Sequence, residues 1–127
     1  MRLLLDTHAL LWWIGDEDRL NKASFAMIAS RDNEILVSAA SLWEISTKRN
    51  LGKLQAPENM CRVVQEKGFT GLPISMIHAE TAGALPLLHR DPFDRMLVAQ
   101  AKIEGLTLMS DDPRIAQYDV KRIGAGK

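Results

Sequence analysis

The stretch Leu3-Leu4-Leu5-Asp6-Thr7 decides the fold class, because three consecutive apolar residues lead directly to an acidic one. A strand with one face in water alternates apolar and polar residues. A continuous apolar run is instead typical of a central strand that is covered on both faces. We therefore predict a buried β-strand that ends at Asp6.

Further apolar runs of strand length follow, separated by longer segments of helical pattern. The strands are predicted at residues 2–5, 34–37, 72–74, 106–109 and 120–123. Short strands that alternate with helices are typical of βαβ units and of a mostly parallel sheet. A chain of 127 residues, 46% of them hydrophobic, is long enough for one such core. We expect a single α/β domain over residues 1–127.

The clearest helix is predicted over residues 92–104. Asp91 is a favoured N-cap residue, Pro92 suits the first helical position, and Gly105 suits the end of a helix. A second helix, over residues 39–50, ends before Gly52 with Lys48 and Arg49 in its last turns, where cations are favourable. The other helices are predicted at residues 9–14, 21–30, 57–67 and 76–84.

Charge and composition limit the partners and the compartment. Sixteen basic and sixteen acidic residues cancel, so any contact with nucleic acid must depend on a local patch. The basic residues that flank the acidic segments could supply such a patch, or could simply be solvated: Lys48, Arg49, Lys53, Arg90 and Arg95.

The histidines and the cysteine indicate no metal site of the zinc type. His8, His78 and His89 are scattered, and the single Cys61 cannot form an intramolecular disulfide, which favours a reducing compartment. The N-terminal apolar stretch is too short to span a bilayer and lacks the cleavage pattern of a secretory signal. We expect a cytoplasmic protein without membrane contact.

Four acidic residues, each beside an apolar run, are candidates for a joint site: Asp6, Glu44, Asp94 and Asp112. Each has a structural alternative. Asp6 and Asp112 occupy positions typical of helix caps, Asp94 lies at the third position after the cap residue Asp91, and Ser41 with Glu44 matches a capping box. Glu44 also precedes Lys48 by four residues, the spacing of a weak surface ion pair.

The position of the acids along the chain favours a joint site over four separate caps. The carboxyl ends of parallel strands lie at one edge of a sheet, where ligands bind. Asp6 and Asp112 follow predicted strands directly, while Glu44 and Asp94 lie in first turns of helices. Two carboxylates about 4 Å apart repel by roughly 4 kcal/mol at an effective dielectric of about 20, so such a site requires a cation. Oxygen ligands suit a hard divalent ion.

Four sequence blocks resemble the PIN domain family, and most closely its VapC branch. In their expected order, and spanning nearly the whole chain, the blocks are Leu4-Leu5-Asp6-Thr7-His8-Ala9-Leu10, Ser38-Ala39-Ala40-Ser41-Leu42-Trp43-Glu44-Ile45, His89-Arg90-Asp91-Pro92-Phe93-Asp94-Arg95-Met96-Leu97-Val98-Ala99-Gln100-Ala101 and Leu106-Thr107-Leu108-Met109-Ser110-Asp111-Asp112.

The resemblance implies a three-layer α/β/α sandwich and a Mg²⁺- or Mn²⁺-dependent endoribonuclease. It also implies the toxin of a type II toxin–antitoxin module, usually a homodimer that acts on RNA and is neutralised by a VapB-type antitoxin. The family's acidic, metal-binding quartet falls on Asp6, Glu44, Asp94 and Asp112, with Thr7 and Ser110 as supporting hydroxyls. Two acids are adjacent in the fourth block, and counting from Ser110 favours Asp112 over Asp111.

Other functions fit the sequence less well. A phosphatase with an acidic pocket generally needs a second acid two residues after the first, and here that position is His8. A metal-binding receiver-like module needs an acidic pair after the first strand and a lysine at the end of a late strand. A PIN fold without catalysis would not be expected to keep four acids.

Overall fold

The computed structural model describes all 127 residues, which form one five-stranded parallel sheet between two layers of helices. The strands are β1 (Arg2–Leu5), β2 (Glu34–Ser38), β3 (Thr70–Leu72), β4 (Thr107–Met109) and β5 (Arg122–Ile123). The helices are α1 (Thr7–Gly15), α2 (Lys22–Ala29), α3 (Ala39–Asn50), α4 (Met60–Glu66), α5 (Met76–Ala84) and α6 (Pro92–Glu104). Short 3-10 helices lie at Glu17–Arg19 and Ile115–Gln117.

The strand order places a ligand-binding crevice beside β1. The strands lie in the order β3-β2-β1-β4-β5 and every pairing is parallel. The chain moves outward from β1 through β2 to β3 and then returns to the other side of β1 with β4. A sheet of this kind binds ligands beyond the carboxyl ends of its strands, where the order reverses.

The three leucines of β1 join the two halves of the core. Leu3, Leu4 and Leu5 are fully buried. Leu3 and Leu5 belong to the cluster formed with α1 to α4, whereas Leu4 belongs to the cluster on the opposite face with α5 and α6. The predictions of a strand covered on both faces and of an α/β/α sandwich are confirmed.

Most differences from the predicted elements have local causes. β3 spans residues 70–72 instead of 72–74, and it ends before Pro73, which has no N–H to donate to the ladder. α1 begins at Thr7 because Asp6 caps it, and α4 begins only at Met60, after the cap residue Asn59. α3 and α6 have the predicted bounds.

The surface of the molecule carries one exposed thiol. Cys61 is exposed on α4 and lines an apolar groove of about 350 Å³ next to β3. None of the helices combines the length and apolar character that crossing a membrane requires.

The position of Leu4 generates a stability prediction. Leu4→Ala should lower the free energy of unfolding by about 2–5 kcal/mol, because the neighbouring helices and strands can only partly fill the cavity. Urea unfolding measures this loss. Leu87→Ala, at a side chain that is 82% exposed, is the matched control and should stay within about 0.5 kcal/mol of wild type. Equal losses in both variants would contradict the central role of β1.

Candidate active site

The structure brings the four predicted acids to the carboxyl edge of the sheet. Asp6 follows β1, Asp112 follows β4, and Glu44 and Asp94 project from α3 and α6. Hydrogen bonds through Thr7, Ser110 and His89 link the surroundings of these acids. The structure therefore places the predicted acids at the same edge of the sheet, and the possible ligand atoms of Asp94 and Asp112 lie in one cluster there.

Asp6 is both a helix cap and part of the acidic site. Its backbone N–H donates to the carbonyl of Met109 at 3.0 Å, and its Oδ1 accepts from the N–H of Ala9 at 2.8 Å. Burial raises the pKa of Asp6, although hydrogen bonds from the Ser110 hydroxyl and the Ala9 amide act in the opposite direction. The cap uses Oδ1 and leaves Oδ2 without a backbone donor.

Glu44 is buried, with a hydrogen-bond donor on each carboxylate oxygen. The Thr7 hydroxyl donates to Oε1 at 2.6 Å, and the Lys48 ammonium contacts Oε2 at 2.5 Å. The alternative of a capping box at Ser41 and Glu44 is wrong, because Ser38 caps α3 and Ser41 lies inside the helix. The Lys48 pair does form, but its acid is buried, so it is not a surface pair.

His89 lies between the third and fourth acids. Its Nε2 is 2.8 Å from Asp94 Oδ2 and 3.3 Å from Asp112 Oδ2. The possible ligand atoms of these three residues all lie within 4.8 Å of one another. Ser110 extends the contacts toward Asp6, because its hydroxyl also accepts from the Asp112 N–H at 3.1 Å.

The pKa values of the two acids beside His89 are shifted in opposite directions. Burial, followed by the negative charge of Asp91, raises the pKa of Asp94 to about 6. Burial also acts to raise the pKa of Asp112, but the Arg114 backbone amide and the positive potential of the neighbouring His89 and Arg114 side chains outweigh it and lower the pKa. Asp94 is therefore an acid whose negative charge the metal-free fold does not fully compensate.

Asp111 has a different role from its neighbour. Its carboxylate accepts from the backbone N–H groups of Ala125 at 2.9 Å and Gly126 at 2.7 Å. A Cβ at Gly126 would lie 2.9 Å from this carboxylate and 3.1 Å from the Trp12 ring, so a side chain at this position would force one of them to shift. Asp111 fastens the C-terminal segment, whereas Asp112 faces His89. The geometry thus favours Asp112 as the fourth acid.

A cavity of about 250 Å³ opens between the first and fourth acids. It is lined by Asp6, His8, Trp12, Asp111, Asp112, Pro113, Arg114 and Ala125. Three of the eight are acids and two are aromatic rings, and the ring centroids of His8 and Trp12 are 6.2 Å apart. The cavity has the polar lining of a site for a charged ligand.

The structure adds one residue to the predicted set and relocates another. The three histidines are scattered in sequence and indicate no zinc-type site, yet His89 contacts two of the acids. The available signal was its place five residues before Asp94 in the same block. Arg95 is among the basic residues that the sequence offers for phosphate contact or for a solvated surface, and neither alternative holds, because it is buried and its guanidinium donates to backbone carbonyls and to the Tyr118 hydroxyl. Arg90 and Lys53 are exposed.

Residues 3–121 match the family model of the PIN domain. The chain is a PIN domain. The sequence-based recognition of the family is confirmed. This PIN domain is 29% identical over 119 residues to Ribonuclease VapC22 of Mycobacterium tuberculosis (strain ATCC 25618 / H37Rv), and the alignment covers 91% of both chains.

Solved structures share the fold of this PIN domain. VapBC2 from Rickettsia felis, bound to a promoter DNA fragment, superposes with a TM-score of 0.72 at 16% identity and covers 98% of this chain and 99% of that one. DNA-bound VapBC from Salmonella typhimurium has a TM-score of 0.67 at 19% identity, with 98% of both chains covered. At these identities the similarity concerns the fold alone.

The donor set of this PIN domain fits a hard divalent cation. Its carboxylates outnumber the cationic side chains that touch them, which are Lys48 at Glu44 and Arg114 at Asp112. Oxygen ligands of this kind suit Mg²⁺ and Mn²⁺, and imidazole is tolerated by the softer of the two. The raised pKa values of Asp6 and Asp94 indicate that both would gain from a bound cation.

The pKa of Asp94 predicts how stability depends on pH without metal. Between its ordinary value of 3.8 and about 6, the folded chain binds more protons than the unfolded chain, so this residue lowers stability as pH rises through that range. Asp94→Asn should therefore stabilise the metal-free protein at pH 7.5, by on the order of 2 kcal/mol, and much less at pH 4.5.

Thermal unfolding in a chelator at both pH values measures this difference. Asn keeps an oxygen that can accept from His89, so the variant should fold normally. Asp119→Asn, at an exposed acid near the opposite end of the sheet, is the control and should change neither value. A destabilised Asp94→Asn at pH 7.5 would contradict the assignment of Asp94 as an uncompensated charge.

Proposed function

We propose that this PIN domain is a Mg²⁺- or Mn²⁺-dependent endoribonuclease and the toxin of a VapC-type toxin–antitoxin module. The observation that carries the proposal is the convergence of Asp6, Glu44, Asp94 and Asp112 at the carboxyl edge of the sheet. The relative named as a ribonuclease, and neighbours that are toxin–antitoxin complexes, support it. The phosphatase and receiver-like alternatives lose support, because the chain belongs to another family.

Asp6, Asp94 and Asp112 are the residues that would hold the ion. When bound, Mg²⁺ or Mn²⁺ supplies an activated water and offsets the charge that develops on phosphate oxygens. Both oxygens of Glu44 already accept from Thr7 and Lys48, so Glu44 has fewer free acceptor positions than the other acids. We expect Glu44 to be the fourth acid of the site. The Lys48 ammonium, which contacts Glu44, would point toward the rim of the site.

RNA binding would depend on local groups, since the net charge is zero. Lys48 is 42% exposed beside the acids, and Arg90 and Arg114 are exposed next to Asp91 and Pro113. Trp12 and His8 line the cavity beside Asp6 and offer ring faces of the kind that stack on unpaired bases. Single-stranded or looped RNA fits this arrangement better than a duplex does. An enzyme that acts on such RNA would work in the cytoplasm.

An exposed apolar surface beside the acids suits a protein antitoxin. Trp43 is 62% exposed, and its ring meets that of Phe93 edge-on with the centroids 4.9 Å apart. These residues directly precede Glu44 and Asp94 in sequence. A VapB-type segment that covered this surface would also obstruct the acidic site, which explains how binding of an antitoxin could silence the enzyme.

RNA cleavage tests the proposal directly. The wild-type chain should cut single-stranded RNA with Mg²⁺ or Mn²⁺ and not in a chelator. Asp6→Asn should lower the rate by roughly 100-fold or more, because a neutral ligand loses several kcal/mol of cation binding. Asn caps a helix about as well as Asp, and burial disfavours the Asp6 charge, so the melting temperature of metal-free Asp6→Asn should be retained or raised. Asp119→Asn should cleave normally; cleavage in the chelator or by Asp6→Asn would refute the proposal.

Asp111 and Asp112 should separate stability from activity. Asp111→Asn removes one acceptor from a pair of backbone amides and should cost about 1–3 kcal/mol of stability while most cleavage is retained. Asp112→Asn should abolish cleavage with a smaller loss of stability. Urea unfolding and RNA cleavage on the same two preparations give both values. The reverse pattern would make Asp111 the fourth acid of the site.

A further inference from the structure

We propose that His89 is a positioning residue, which holds Asp94 and Asp112 together in the arrangement that receives the divalent ion. This inference rests on the proposed function and goes beyond the four acids. The His89 side chain is 3% exposed, and it contacts both carboxylates through the same nitrogen. It connects α6 to the segment after β4, two elements that belong to different parts of the chain.

The hydrogen bonds of the ring indicate which nitrogen carries the proton. Nδ1 lies 3.4 Å from the backbone nitrogen of Asp91, whose N–H can only donate, so Nδ1 is the acceptor. The neutral ring then carries its hydrogen on Nε2, where it faces the Oδ2 atoms of Asp94 and Asp112. One N–H shared by two carboxylates draws them together against their mutual repulsion.

The same donor leaves the carboxylates able to bind an ion. Each carboxylate oxygen has about two acceptor sites, so an oxygen that accepts from His89 can still face a cation. In metal sites, groups of this outer layer fix the orientation of the ligands and are worth 10–100-fold in affinity. His89 would thus act through Asp94 and Asp112, without contact to the substrate.

The loop that carries His89 is itself held in place by a buried arginine and a tyrosine. Arg95 donates to the carbonyls of His89, Ala82 and Leu85 at 3.2, 2.9 and 2.9 Å. The Tyr118 hydroxyl accepts from the His89 N–H at 3.1 Å and lies 3.2 Å from Arg95 Nη1. No carboxylate pairs with Arg95, so its buried guanidinium contacts only backbone carbonyls and the Tyr118 hydroxyl.

This arrangement couples the imidazole to the acid that it orients. Arg95 follows Asp94 directly on α6, so the loop is anchored to the same helical turn that presents the carboxylate. Because Arg95 fixes the backbone on both sides of the loop, the ring has little freedom to leave the two acids. The loop that carries His89 therefore forms a rigid support for the site.

The experiment compares two substitutions of His89 in the full chain. His89→Gln can place an amide donor close to the position of Nε2, whereas the shorter His89→Asn reaches only the position of Nδ1. Mn²⁺ affinity, measured by the paramagnetic resonance signal of free Mn²⁺, should fall 10–100-fold in His89→Asn and stay within about fivefold of wild type in His89→Gln. The kcat for RNA cleavage should follow Mn²⁺ affinity at limiting Mn²⁺, with KM for RNA unchanged.

His78→Asn is the matched control. His78 is also buried and contacts an acid, Glu104, at 3.1 Å, but it lies on α5 outside the acidic site. This variant should keep wild-type Mn²⁺ affinity even if it loses stability. Wild-type affinity in His89→Asn would overturn the inference, and so would equal weakness in both His89 variants, which would make the imidazole itself a ligand. A wild-type chain that binds no Mn²⁺ would instead refute the proposed function.

Discussion

The ladder of parallel hydrogen bonds around β1 is the constraint on which the rest of the molecule depends. β1 pairs with β2 on one side and β4 on the other, and the N–H of Asp6 continues the ladder to the carbonyl of Met109. The bonds that hold the sheet together therefore also set the position of the first acid. Because β4 leads directly into Ser110 and Asp112, the same register brings the fourth acid beside the first.

Several individually weak hydrogen bonds, instead of one strong counter-charge, stabilise the crowded carboxylates. Thr7 and Lys48 donate to Glu44, Ser110 donates to Asp6, and His89 serves the remaining two acids. Most of these donors are neutral, so they orient the carboxylates without cancelling their charge. The pKa of Asp94, raised to about 6, shows that part of the free-energy cost of burying these carboxylates together is not offset in the metal-free chain.

The sequence allowed the central strand, α3 and α6 to be predicted because their signals are local: an unbroken apolar run, a cap residue, a proline and a terminal glycine. β3 was displaced by two residues, since its end depends on a missing N–H at Pro73. The location of Asp6 and Asp112 at the carboxyl edge of the sheet could be predicted, because both follow strands. The contacts of His89 and the burial of Arg95 could not be predicted, because the loop between α5 and α6 takes its shape from backbone carbonyls and from the Tyr118 hydroxyl, which meet only in the folded chain.

The exposed thiol on α4 gives the molecule an experimental handle. Cys61 is the single cysteine of the 127 residues, so a nitroxide spin label would attach at one defined point without any mutation. Mn²⁺ is paramagnetic, and its dipolar effect on that label would report the separation between α4 and the carboxylates. The groove beside Cys61 could in this way be followed in solution as RNA or a protein partner is added.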